Sequence, residues 1–384
     1  MDNIVEDLKK IKESSLYREL NKVEGAQGPH IQIKGRTYLS FCSNDYLGLA
    51  NHPDVIRAVK NAVEDYGWGA GASRLISGNM QLHETLENEI SGFKKKEASI
   101  VFPTGYMANV GTICSLVSNG DLVVSDRLNH ASIIDGCRLS GATFRIYPHC
   151  NIIKLEDILK KHSKLSRKLI VTDTVFSMDG DLAPLPGIVK IARNYGAMVM
   201  VDEAHGTGVY GKNGIGVTEH YNLNKEVDIT MGTLSKAIGS LGGFVSGSKD
   251  LIEYLRNKAR TFMYTTALPP AVCAASIAGI NLVRQDHTLR ESLWRNVHYV
   301  KEGLKLLRLN IISSESPIIP IVIGDAKRAM DVSRHLFEKG IMIPAIRPPT
   351  VPGKSSRLRI TIVSTHTKDD LDKLLNALET IQNP

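Results

Sequence analysis

Between about residue 98 and residue 248, short Val/Ile-rich runs alternate with longer stretches of helical period. No other feature constrains the fold of this chain as tightly. Six runs predict strands: "ASIVF" (98–102), "DLVVS" (121–125), "KLIVTD" (168–173), "AMVMVD" (197–202), "VDITM" (227–231) and "GGFVSG" (242–247). Most are continuously apolar and bounded by Gly, Asp or Ser, the pattern of strands covered on both faces. Most connections run to roughly 20 residues or more, which suits helical crossovers and a mostly parallel sheet. "GGFVSG" follows its predecessor too closely for a crossover and is the candidate antiparallel exception.

Beyond this block, "HTLRESLWRNVHYVKEGLKLL" carries Leu289, Leu293, Val297, Val300, Leu304 and Leu307 at spacings of three and four, an amphipathic helix leading into a second domain. "PIIPIVIG", "IMIPAI" and "RLRITIVS" follow, and then "THTKDDLDKLLNALETI", where Thr367 and Asp370 have capping-box spacing. These last hundred or so residues read as a small α+β domain. At the other end, Ile4, Leu8 and Ile11 share one helical stripe, without the basic-then-apolar pattern of a signal peptide. No stretch approaches the roughly 18 apolar residues of a membrane span. A cytoplasmic location is the expectation.

The 384 residues, 42% hydrophobic and 23% charged, suffice for two domains of ordinary globular composition. Cys42, Cys114, Cys137, Cys150 and Cys273 are odd in number and lack a C-x-x-C pair. They read as buried or half-buried thiols rather than disulfide or zinc partners, and no metal is expected. The formal charge of +7 includes basic clusters at 94–96 and around 161–168, which read as solvated helix faces or, alternatively, as attraction for an anionic partner such as a phosphorylated cofactor or an acidic carrier protein. No basic stripe interleaved with aromatics suggests nucleic acid.

In open α/β sheets ligands bind beyond the carboxyl ends of the strands, so polar residues there are weighed first. "AMVMVDEAHGTGVYG" delivers Asp202 and His205 as an apolar strand ends. Asp202 is either a cap for the next element or a carboxylate held in a low-dielectric site for a ligand cation. Gly206, Gly208 and Gly211 match G-x-G-x-x-G, yet the strand has already ended and "KNGIG" follows instead of a helix, so a dinucleotide site is rejected. "TDTVFSMDGD" ends another strand with Asp173, Ser177, Asp179 and Asp181, a polar turn from which Ser177 is the side chain to aim at a ligand. "DRLNHAS" places His130 on a loop. "PTGYMANVG" opens a helix with a Thr-Gly-Tyr turn, a ready anion site. In "MGTLSKAIGSLGG", Lys236 stands among small residues at a strand end; taken alone it reads as a lysine snorkelling from a turn, and beside the carboxylate of a neighbouring strand end as an amine that partial burial frees for Schiff-base chemistry.

Together "SNDYLGL", "TGYMANVG", "DRLNHAS", "TDTVFSMDGD", "VDEAHGTGVYG", "TLSKAIGSLGG", "YTTALPP" and "RPPTVPGKSSRLRITI" resemble the α-oxoamine synthases. The motifs occur in order over essentially the whole chain. The resemblance implies a fold-type I transferase dependent on pyridoxal 5′-phosphate (PLP). Its parts would be an N-terminal helix and arm (1–50), a large PLP-binding domain with a mostly parallel sheet (51–285) and a small α+β C-terminal domain (286–384). It also implies an obligate homodimer with shared active sites. Three positions depart from the usual pattern: Thr104 where Ser is frequent, Leu234 where an aromatic is common, and "GKSS" before the first arginine of "RLR".

The resemblance further implies roles. Lys236 would hold the cofactor as an internal aldimine and move protons at Cα. Asp202 would pair with the pyridinium nitrogen, His130 would stack on the ring, and His205 and Ser177 would bond near the phenolic oxygen. Gly105, Tyr106 and Thr233 would hold the cofactor and its phosphate, completed by Thr265 or Thr266 of a partner subunit. Arg359 would clamp the amino-acid carboxylate with help from Asn44, and Arg18 and Thr350 would lie near the acyl substrate. The implied reaction is decarboxylative condensation of an amino acid with an acyl thioester, carried by CoA or by an acyl carrier protein. "YTTALPP" and "AIRPPTVP" point to L-alanine and a pimeloyl thioester, in biotin biosynthesis. Two alternatives stand beside it, a sister enzyme using glycine and acetyl-CoA and a catalytically silent regulatory homologue.

Overall fold

The computed structural model describes residues 2–14 and 16–381. Among them the chain forms two compact units. The larger comprises Leu47–Ser177 and Leu182–Arg290. The smaller gathers the chain up to Tyr46, the short segment Met178–Asp181 and the chain from Glu291 onward.

Numbered along the chain, the strands are β1 (His30–Ile33), β2 (Arg36–Ser40), β3 (Ala98–Phe102), β4 (Leu122–Asp126), β5 (Thr143–Tyr147), β6 (Lys168–Asp173), β7 (Met198–Asp202), β8 (Ile229–Thr233), β9 (Gly243–Gly247), β10 (Ile318–Gly324), β11 (Ile341–Met342), β12 (Ala345–Ile346) and β13 (Ser356–Thr361). In the larger unit seven of them make one sheet in the order β3-β9-β8-β7-β6-β4-β5. β5, β4, β6, β7 and β8 run parallel, and β9 is antiparallel to both β8 and β3. The six expected strands are all present. β5 is an addition to them, an edge strand whose Phe144, Arg145 and Ile146 are half-buried or exposed.

Strand periodicity explains the two cores. Leu169 and Val171 of β6, with Met200 of β7, face one cluster, while Ile170, Val199 and Val201 face the other. Helices cover both faces, so successive residues are all apolar and all buried. Each such side chain gains about 1.5–3 kcal/mol on leaving water.

In the smaller unit β1 and β2 form a hairpin, and β11 adds to β2 in parallel. β13 lies between β10 and β12, antiparallel to both. The expected amphipathic helix spans Thr288–Leu306, and the Thr367–Asp370 capping box opens the helix Lys368–Glu379. The N-terminal helix Asp2–Glu13 leaves its apolar stripe in solvent, with Ile4 63% and Leu8 45% exposed.

One cysteine departs from expectation. Cys114 is exposed, whereas Cys137 and Cys273 are buried and Cys42 and Cys150 lie between. Its helix, Gly105–Leu116, turns Ala108, Gly111, Thr112 and Ile113 inward, which leaves position 114 on the opposite face.

One close approach ties this sheet to the start of that helix. A Cβ on Gly243, the first residue of β9, would lie 2.6 Å from the Cα of Gly105 and 2.7 Å from the carbonyl oxygen of Thr104. Gly243→Ala therefore has to push backbone from backbone. Thermal or urea unfolding should show a loss of about 1–3 kcal/mol, and an unchanged midpoint would show that the helix start is free to move.

Candidate active site

Four parallel strands end on one side of the larger unit, and the segments after them converge with the first turn of the helix Gly105–Leu116. They enclose a cavity of about 180 Å³. His130 comes from the loop after β4, Asp173 and Ser177 from the end of β6 and beyond. Asp202 and His205 follow β7, and Thr233 and Lys236 follow β8. Gly105 and Tyr106 close the side formed by the helix.

Each side chain has an identifiable support. Asp202, 4% exposed, accepts a hydrogen bond from Asn109 Nδ2 at 2.8 Å and, through its other oxygen, from the Ala204 N–H at 2.8 Å. Burying a carboxylate without such partners would cost several kcal/mol. Asn109 Nδ2 also donates to Ser132 Oγ at 2.9 Å. His130 caps the helix Ala131–Leu139, its Nδ1 accepting from the Ser132 N–H, while its own backbone N–H donates to Asp173 Oδ2 at 2.7 Å. Lys236 Nζ lies 2.8 Å from His205 Nε2. Thr233 donates to the Gly242 carbonyl and accepts from the Ser235 N–H. Tyr106 donates its hydroxyl to Asp135 at 2.5 Å.

Electrostatics separates these groups. Burial holds the His130 imidazole below its ordinary value, with Asp202 and Asp135 opposing and Lys236 reinforcing the shift. A neutral ring is the form suited to stacking. Burial, and then the neighbouring Asp202 carboxylate, drive the Asp173 carboxyl well above its ordinary range. The two residues are register partners on adjacent parallel strands, and like charges so placed do not both ionise freely.

The donor set fits PLP. An amine stands near an imidazole, a dry carboxylate ends the neighbouring strand, and a helix start capped by Thr104 presents Gly105 to the cavity. A Cβ at Gly105 would lie 3.0 Å from Met231 Cε, so a larger residue there would press on that side chain at the cavity wall.

Not every expected residue is in this cavity. Thr265 and Thr266 line a separate small cleft with Arg74 and His83. In the smaller unit Arg359, 6% exposed, donates to Thr361 Oγ1 at 2.9 Å and to Asn44 Oδ1 at 3.3 Å. Arg18 and Thr350 are exposed there and flank Arg347, whose guanidinium donates to the Tyr17 carbonyl. Burial pushes the nearby Tyr46 phenol up to about 12, against the pull of Arg359.

Sequence reasoning missed Asn109 and gave Asp173 only a turn. Asn109 stands four residues after Gly105, on the same helix face. Asp173 ends its strand as Asp202 does. Those two regularities were the available signals.

The family described as aminotransferase class I and II matches residues 36–378. A protein named 8-amino-7-oxononanoate synthase from Thermoanaerobacter pseudethanolicus is 47% identical over 382 residues, 99% of this chain and 97% of its own. One of the same name from Geobacter sulfurreducens is 48% identical over 381 residues, with the same coverage. The chain belongs to the 8-amino-7-oxononanoate synthase family. Members of this family are α-oxoamine synthases of acyltransferase type, with the fold-type I architecture that the mixed, mostly parallel sheet displays. Among solved structures, a point variant of serine palmitoyltransferase from S. paucimobilis with a bound PLP-myriocin aldimine superposes with a TM-score of 0.94 at 33% identity. The match covers 99% of this chain and 96% of that one. The 8-amino-7-oxononanoate synthase from Francisella tularensis gives 0.78 at 31% identity, over 89% and 97%. PLP dependence is a general property of the family.

The raised Asp173 carboxyl has a measurable consequence. From the ordinary value of 3.8 up to its raised folded value, the folded protein binds a proton that the unfolded chain has released. Parental stability therefore falls as pH rises through that window. Asp173→Asn removes the penalty. In urea unfolding of the apoprotein, the variant should be more stable than the parent at mildly alkaline pH, with the gap closing towards about pH 4. Parallel pH profiles for the two proteins would contradict the assignment.

Proposed function

We propose that this chain condenses L-alanine with a pimeloyl thioester, releasing CO2 and the free thiol and yielding 8-amino-7-oxononanoate for biotin biosynthesis. The observation that carries this reading is near-full-length identity of 47–48% to proteins of that name. The amine, imidazole and buried carboxylate gathered at the strand ends support it. PLP is the cofactor in this reading, and when bound it supplies an electron sink for the negative charge developing at the Cα of alanine.

The chain's own residues do the rest. Lys236 holds the cofactor and carries the proton to and from Cα. His205, 2.8 Å from its amine, steadies that nitrogen. Asp202, held by hydrogen bonds from Asn109 and the Ala204 N–H, would pair with the pyridinium nitrogen. His130 would stack on the ring, Ser177 and His205 would serve its phenolic oxygen, and Gly105, Tyr106 and Thr233 would receive its phosphate. Arg359, held by Asn44 and Thr361, is the guanidinium that would clamp the alanine carboxylate. Arg18 and Thr350 serve the acyl substrate, whether CoA or an acyl carrier protein bears it. Thr265 and Thr266, outside the chain's own cavity, serve a second copy in a homodimer with shared sites. The reading places the enzyme in the cytoplasm, where unpaired cysteines stay reduced. No helix among the described residues is long and apolar enough to cross a membrane.

Purified protein supplied with PLP should release CoA from pimeloyl-CoA in the presence of L-alanine. Turnover confined to glycine and acetyl-CoA would assign it to the sister reaction, and no turnover with either pair would defeat the enzymatic reading. Lys236→Ala should abolish the visible absorbance of bound PLP and lower kcat by about 10²–10⁴-fold or more. Arg359→Ala should raise the KM for alanine by about tenfold, the worth of a charge-assisted hydrogen bond, with a smaller effect on kcat.

A further inference from the structure

Lys94 ends the helix Gln81–Lys94 with its side chain 1% exposed, outside the cavity described above. Its ammonium donates to Thr207 Oγ1 at 2.7 Å and to the carbonyl oxygen of Ile215. The rings of Phe93 and Phe244 lie 5.6 and 5.5 Å from it. Burial draws this lysine down to about 8, with Glu203 and Glu219 opposing. An ammonium in such a place is costly, and a methionine would fill a similar volume with no charge to desolvate.

Both polar contacts of Lys94 fall on one loop, the one that leaves β7 and carries His205. The loop has a second anchor in Glu203, which is fully buried. The Glu203 carboxylate accepts from the hydroxyl of Thr174 and from the N–H groups of Val217 and Thr218. His205 is thus bracketed, two residues after Glu203 and two before Thr207. The Thr207 N–H in turn donates to the Glu203 carbonyl at 2.8 Å. The Thr207 hydroxyl also abuts β8, since a Cβ on Gly232 would lie 3.0 Å from it and 2.4 Å from the Phe244 ring. Any shift of Thr207 moves the loop relative to the strand that leads to Lys236.

We propose that Lys94 is a positioning residue which, through Thr207 and Ile215, pins the loop 203–216 and so holds His205 Nε2 against the amine of Lys236. The inference rests on the reading of Lys236 as the cofactor-holding amine. Lys94 touches neither substrate nor cofactor; it acts through the loop. The groups facing the Lys236 amine are His205, His130, Asp173 and Asp202. His205, in direct hydrogen-bond contact with the amine, is the one that the loop positions.

The test uses apoprotein and follows capture of PLP by stopped-flow absorbance across neutral to alkaline pH, with near-UV circular dichroism as the check on folding. Thr207→Val removes the hydroxyl and keeps the volume, and Thr207→Ser keeps the hydroxyl. In Thr207→Val the midpoint of the pH–rate profile should move down by about one unit, because the amine loses an acceptor for its proton. Thr207→Ser should keep the parental midpoint, and Lys94→Met, if it folds, should move with Thr207→Val. A folded Thr207→Val protein whose midpoint stays within about 0.2 unit of the parent overturns the proposal, whatever Lys94→Met does. Lys236→Ala is the control: capture equal to the parent's would overturn the reading of Lys236 as well, whereas loss of capture leaves the Thr207 comparison to decide for Lys94.

Discussion

The site depends on keeping one carboxylate dry. Asp202 ends β7 out of reach of bulk water, and a charge so placed survives only where each oxygen has a donor. Asn109 supplies one donor from a helix and the Ala204 N–H supplies the other from the loop that follows. The same amide grips Ser132 at the start of the helix capped by His130, so a single side chain spans three elements of the cavity wall. A second carboxylate, Asp173, stands in register beside the first. The pair explains why one is driven towards its neutral form and why an amine and two imidazoles are tolerable so close by. The Asp202 carboxylate is answered by fixed donors of the protein rather than by solvent.

Much of this was legible in the chain. The runs at 98–102 and 168–173 were read to the residue, because strands buried on both faces leave an unbroken apolar signature. β5 was not read. Its "TFRIY" places an arginine and exposed side chains at the sheet edge, where covering helices no longer demand apolar residues. The hairpin of β1 and β2 escaped for a related reason, since four- and five-residue strands with half their residues in water give a weak period-two signal. β8 ran on to Thr233 rather than stopping near Met231, because its antiparallel pairing with β9 carries the ladder two residues farther.

The site divides along the same line. Lys236, Asp202, His205 and His130 could be weighed because they follow apolar strands, and the motif resemblance, rather than any one segment, gave them roles. Asn109 did not stand out, since an amide inside an amphipathic helix gives no contrast until the helix is docked. Lys94 opens the basic run "KKK", which in sequence looks like a solvated helix face, and only tertiary structure shows its amine buried near two aromatic rings.

The parallel pairing of β11 with β2 has a consequence in time. Leu39 pairs with Ile341, so the hairpin near the start of the chain leaves the ribosome roughly 300 residues before its third strand exists. At about 5–20 residues per second this is a wait of roughly 15–60 s, during which the β2 edge offers unpaired amides and carbonyls to any passing strand. The larger unit can close while synthesis continues. The smaller one, which joins the chain up to Tyr46 with the chain from Glu291 onward, must stay open until β11 has been made, and that interval is when the β2 edge is most exposed to misassociation.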